Sequence, residues 1–123
     1  MADNPASSEP RFYGDANAHG EPTVSARDKG PTEFDIDVYD TFGELQDLLL
    51  SKHHDYGPTN ISRSPGGPIN GLRVRMWDKF ARINNLVDSG KDAKHESLED
   101  SFKDMANYAI IGLLVLRGKW PND

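Results

Sequence analysis

At 123 residues the chain has room for one domain, and 20 acidic against 14 basic residues give it a net charge of −6. That balance makes it a poor non-specific partner for DNA or RNA, where neutralising phosphates dominates affinity, so direct nucleic-acid binding is not expected. The absence of cysteine excludes disulfides, thiol catalysis and Cys-ligated zinc.

Residues 1–33 are rich in Pro, Gly, Ser, Ala, Asp and Asn, and only Phe12, Tyr13 and Val24 could pack. Such a segment cannot offset its own ordering entropy, so it reads as a disordered arm, or one that orders on a partner. It has neither the basic start nor the continuous apolar core of a signal peptide. No stretch reaches the roughly 18 apolar residues that a membrane span needs. The expectation is a soluble, cytoplasmic protein without membrane contact.

The remainder, residues 34–123, shows no alternating strand pattern and reads as an all-α domain of three helices. Thr41 with Glu44 forms a capping box ahead of Leu45, Leu48 and Leu49, with Phe42 on the same face. This first helix stops at Gly57-Pro58, where glycine supplies a left-handed cap and proline forbids continuation. A loop dense in Gly, Pro and Ser follows, from Thr59 to Gly71, and loops this long are more often functional than accidental. Asn70 can cap a second helix running to about Val87, with Leu72, Met76, Phe80, Ile83 and Val87 as its seam. Beside that seam Arg75, Lys79 and Arg82 share one stripe. They can present charge to phosphates, or form a solvated face in which Asp78 pairs with Arg82.

A polar connector, Asp88 to Lys94, leads to a third helix over about Glu96 to Arg117. Leu98, Phe102, Met105, Ala109, Leu113 and Leu116 recur at helical spacing and predict its apolar face. On the other side Glu96, Asp100, Asp104 and Asn107 stack at steps of four, four and three, and the same side then becomes Ile111, Leu114 and Val115. The carboxylate stripe therefore runs toward a packed region. Aligned like charges repel, and a divalent cation held by oxygen ligands is one group that offsets the repulsion. The alternatives are an acidic first turn complementing the helix dipole, or pairing of the acidic stripe with the basic stripe. A second half apolar on every side would be overexposed in a three-helix monomer, which predicts a homo-oligomer.

The turn Lys52-His-His-Asp-Tyr-Gly57 places an acid, a base, two imidazoles and a phenol at one helix end. The helix dipole accounts for His53 and His54. Asp55 and Tyr56 are the site candidates there, because the chain turns at them. Trp77 and Trp120 read as packing residues that could also stack on a base.

Taken together, Lys52…Asp55-Tyr56-Gly57, Arg75-x-x-Asp78-Lys79-x-x-Arg82, and Glu96-x-x-Glu99-Asp100 with Asp104-x-x-Asn107-Tyr108-Ala109 resemble the nucleotide modification associated domain family of phages and bacteria. The resemblance covers about residues 42–117 and implies a role in phage nucleotide metabolism. More distantly, the carboxylate-bearing helices look like the all-α nucleoside triphosphate pyrophosphohydrolases, the MazG-like and dimeric dUTPase group, which hold magnesium on Glu-x-x-Glu and Glu-x-x-Asp motifs. This chain departs from them: Glu44-Leu-Gln-Asp47 points away from the core, and the later carboxylates step by four rather than three.

The leading expectation is an oligomeric protein that binds a nucleotide phosphate with Mg2+. Asp100 and Asp104, with Glu96 or Glu99, would hold the metal. Lys52, Arg75, Lys79 and Arg82 would hold phosphates, Asn107 and Tyr108 would orient the ligand, and Asp55 and Tyr56 would close the site. As an enzyme it would direct water at a phosphoanhydride, with Asp104 and Asp100 as catalytic carboxylates. The alternatives are a non-catalytic nucleotide-binding module, or a structural protein whose two charged stripes pair with each other.

Overall fold

A computed structural model describes residues 30–123. These form four helices and no strand: α1 (Glu33–Tyr56), α2 (Thr59–Ser62), α3 (Pro68–Ser89) and α4 (Leu98–Leu116). The described domain is all-α, as its apolar spacing predicts. The expected disordered arm lies outside the described residues except for its last four. The chain divides into two compact units, residues 1–41 and 42–123, and α1 runs from the first into the second.

In the first unit, α1 begins well before Thr41. The Thr32 hydroxyl accepts from the Asp35 N–H at 3.1 Å, and the Asp35 carboxylate accepts from the Thr32 N–H at 2.9 Å. This reciprocal pair is a capping box with Asp in place of Glu or Gln, and no Gly or Pro between it and Thr41 stops the helix. The Thr41 hydroxyl, expected to cap, instead donates back to the Asp37 carbonyl at 2.7 Å. Phe34, Ile36 and Tyr39 of this turn are exposed.

The second unit holds the core. α1 ends at Gly57, whose φ of 70° and N–H bond to the His53 carbonyl at 2.8 Å make it the expected left-handed cap. The long loop is partly ordered by the single turn of α2. Gly67 and Pro68 then start α3 two residues before Asn70, because proline at the first helical position needs no N–H partner and has its φ preset. The Asn70 side chain does not cap; it donates to the Pro65 carbonyl and accepts from Arg73. α4 starts two residues later than expected, at Leu98. There the Ser97 hydroxyl accepts from the Asp100 N–H and the Asp100 carboxylate accepts from the Ser97 N–H.

Ile61, Leu72 and Ile111 form the buried cluster, one residue from each of α2, α3 and α4, with Leu49, Tyr108, Val115 and Trp120 packed around it. α4 therefore turns the side carrying Ser101, Asp104, Asn107 and Ile111 inward, so the polar stripe does run into a packed region. Its predicted apolar face points the other way: Leu98, Phe102, Leu113 and Leu116 are exposed. The second half of α4 is thus not buried on every side within one chain. The seam of α3 is split as well, with Leu72 and Ile83 buried but Phe80 and Val87 exposed, and Phe42 on α1 is exposed too.

Candidate functional site

An open pocket of about 480 Å³ lies in the second unit where the C-terminal turn of α1, the α2 segment, α3 and α4 meet. Leu49, Lys52, His53 and Tyr56 come from α1, where three-to-four spacing puts them on one side. Arg75 and Lys79, four apart on α3, form the opposite wall, and Asp104, Tyr108 and Ile111 of α4 line the base. Trp120 closes one end. Its indole donates to the Pro58 carbonyl at 3.1 Å and its ring packs edge-on against His53 at 5.0 Å.

Oppositely charged side chains alternate along the pocket. Asp104 accepts from Lys52 at 3.0 Å on one carboxylate oxygen and meets Lys79 at 2.9 Å on the other. Lys79 also donates to Glu96 at 2.8 Å. Glu96, on the connector, is fixed from behind by the Ser101 hydroxyl at 2.7 Å and by Arg82, which donates to the Glu96 carbonyl. Ser101 is fully buried, so its hydroxyl has a partner in Glu96 rather than in water.

Burial alone would raise the Asp104 carboxyl and lower the Lys79 ammonium. The hydrogen bonds between them, and from Lys52 to Asp104 and Lys79 to Glu96, outweigh it, leaving Asp104 below and Lys79 above its ordinary value. Glu96 follows Asp104: burial pushes it up, while Lys79 and Ser101 pull it below the usual carboxylate range. Carboxylates held this way are weak bases and well-anchored ion partners. The Lys79 ammonium takes the gap between Glu96 and Asp104, so a divalent cation fits there only after Lys79 leaves.

Of the site residues expected from sequence, the pocket gathers Lys52, Tyr56, Arg75, Lys79, Glu96, Asp104, Asn107 and Tyr108. The Asn107 amide is buried and donates to the Leu45 carbonyl at 3.1 Å, tying α4 to α1. Arg82 stands behind Glu96 and does not line this pocket. Asp55 is exposed and also lies outside its lining. Asp100 spends its carboxylate on the α4 cap, and Glu99 pairs with Lys103 at 2.9 Å. Lys103 also reaches Glu44, and these hydrogen bonds, Glu44 first, raise it above the ordinary lysine value. Glu96, Glu99, Asp100 and Asp104 therefore do not converge on one point.

Ser101, Asn60 and His53 are not among the site residues expected from sequence, and Trp120 is expected only as a packing residue that could also stack on a base. Ser101 carries a signal, since it sits three residues before Asp104 on the same helix face. The roles of Trp120 and His53 depend on each other across the fold and leave no local pattern. His53 Nδ1 is shielded from solvent and has no hydrogen-bond partner among the described residues.

Fold and site define an all-α domain with an ion-paired, aromatic-edged pocket. The family model described as nucleotide modification associated domain 1 matches residues 52–116, just over half of the chain, and the chain belongs to that family. The matched span starts at Lys52 of the pocket and ends with the last residue of α4. No curated protein and no solved structure matches the chain.

Proposed function

We propose that the chain takes part in nucleotide metabolism, in the phage setting that the family resemblance implies, by binding a nucleotide in this pocket. The phosphate is held at Arg75 with Lys52 and Lys79 beside it, and the base lies against the aromatic side chains of Tyr56, Tyr108 and Trp120. The observation that carries this reading is the state of Arg75. Its guanidinium donates to the Asn60 carbonyl at 3.0 Å and has no carboxylate partner among the described residues, while the neighbouring lysines are paired. A planar cation with most of its donors unspent, in a pocket with aromatic edges, suits a phosphate joined to a base.

Hydrolysis of a phosphoanhydride with Mg2+ on Glu96 and Asp104 is the second reading, and it requires Lys79 to give up both carboxylates. Thermal melting across nucleoside mono-, di- and triphosphates, with and without Mg2+, separates the two when each mixture is also assayed for phosphate and pyrophosphate. A shift without product supports binding, and a Mg2+-dependent shift with product supports the hydrolase. Binding predicts that Arg75→Met abolishes the shift; no shift with any nucleotide for the unaltered chain sinks both readings.

The chain is also proposed to self-associate, with a second copy covering the exposed face of α4. Leu98, Phe102, Met105, Ala109, Leu113 and Leu116 follow one another at steps of three and four with no charge among them. Such a seam is complementary to its own antiparallel copy.

A further inference from the structure

We infer that the ligand of this pocket is a nucleoside monophosphate, bound as the phosphomonoester dianion and without a metal. The inference rests on the nucleotide-binding reading and narrows it by charge. Three cations, Lys52, Arg75 and Lys79, line the pocket with two carboxylates, Glu96 and Asp104, so the lining carries one positive charge in excess, and Arg82 stands behind Glu96. That excess lies in a chain whose net charge is −6. Three cations facing one cavity suit a single phosphate group, and a phosphomonoester carries about −1.5 to −2 near pH 7.

A triphosphate brings further negative charge along its length, and there the cluster offers repulsion. Asp104 is only 14% exposed and Glu96 28%, so their charges are less screened by water than those of surface carboxylates. The usual remedy, a divalent cation between carboxylate and phosphate, is pre-empted by Lys79. Its ammonium already lies 2.8 Å from Glu96 and 2.9 Å from Asp104. Arg75 provides the anchor: one of its five N–H groups goes to the Asn60 carbonyl, leaving a fork for two phosphate oxygens. Asp104 and Glu96 hold the lysines in place beside that anchor before any ligand arrives, which removes part of the ordering cost of binding.

Titration calorimetry on the full chain in EDTA tests this with three ligand classes. These are the nucleoside 5′-monophosphates, their 5′-phosphate methyl esters, which carry one charge fewer, and the triphosphates; the triphosphates are repeated with Mg2+ in place of EDTA. The expected result is metal-free binding of a monophosphate, at least about tenfold tighter than its methyl ester and tighter than the triphosphate in either condition. A methyl ester that binds as well as the monophosphate overturns the dianion. A triphosphate that binds best with Mg2+ overturns the monophosphate and leaves the nucleotide reading standing. No binding by any class overturns both. Arg75→Lys, which keeps the charge and loses the fork, is expected to weaken the monophosphate at least tenfold without changing the ligand-free melting temperature. An unchanged affinity removes Arg75 as the anchor.

Discussion

Lys79 is the residue on which the pocket's order depends. It is 19% exposed and bridges two carboxylates that otherwise face each other across the pocket floor. Lys52, at 47% exposed, shares Asp104 but stands largely in water. The two lysines therefore differ in what their loss costs. Lys79→Met keeps the aliphatic stem and is expected to destabilise the domain by about 2–3 kcal/mol, since it leaves partly buried carboxylates without their shared cation. Lys52→Met is expected to cost under about 1 kcal/mol. Urea denaturation of the two variants checks this, and equal losses would show that Lys79 is no more than a surface partner.

The same cluster sets a pH dependence. Asp104 and Glu96 sit below their ordinary values, so their contribution is complete above the carboxylate range and is lost as pH falls through the depressed values, below about pH 4. Lys79 sits above its ordinary value, so its contribution holds up to about pH 10 and disappears as pH rises further. Between these limits the cluster contributes a flat plateau. Asp104→Asn removes one of the acid-sensitive groups, so the stability gap between it and the natural sequence should narrow as pH drops from 5 to 3. A gap that stays constant would mean that Asp104 does not titrate with folding.

At the scale of elements, the loop before α3 is held by close approach. Ser64 donates to the Asn60 carbonyl at 2.8 Å and lies against Gly71 in the first turn of α3. A Cβ at Gly71 would come within 2.3 Å of Ser64 Oγ and 2.4 Å of its Cβ. Gly71→Ala should therefore cost about 1–3 kcal/mol despite alanine's better helix propensity, because the loop must shift. A calorimetric melting temperature unchanged by the substitution would show that the loop yields freely. Pairing it with Ser64→Gly should recover most of the loss.

How much of this was legible follows the same divide between local and distant partners. That Asp104 and Asn107 face inward could be read from the sequence, because their stripe continues into Ile111 on the same helix. Arg75 and Lys79 could be placed together from their spacing alone. Asp100 has the same residue type and the same stripe as Asp104, yet it caps its own helix, because Ser97 stands three residues before it. Arg82 continues the basic stripe but meets Glu96 rather than the pocket, a pairing that depends on where the connector returns. The apolar face of α4 was visible as a face. That this face stays exposed within one chain was not, since both sides of its second half are apolar and the neighbours that cover only the Ile111 side come from α2 and α3.

At the scale of the molecule, α1, α3 and α4 all leave large apolar side chains exposed among the described residues. On α3, Trp77 is 63% exposed and lies at a tilt against Phe80 with ring centres 6.3 Å apart, while Leu116 of α4 is 73% exposed. No helix among the described residues is long and apolar enough to cross a membrane. Adjoining exposed apolar side chains favour association, and the row along α4 is the ground for the self-association proposed above. Sedimentation equilibrium is expected to give a mass that is a multiple of 13.7 kDa, and Phe102→Glu with Leu113→Glu to reduce it to one chain. A single-chain mass for the unaltered protein would refute self-association through α4.

The Lys79 bridge also gives the pocket a chemical reporter. Amine-directed reagents attack the neutral form of lysine, and Lys79 is both screened and held in its charged form, whereas Lys91 and Lys94 on the connector stand exposed. Any ligand that draws Lys79 away from Glu96 and Asp104 alters its acylation rate relative to those two internal standards. Peptide mass spectrometry can then follow occupancy of the pocket before the ligand has been identified.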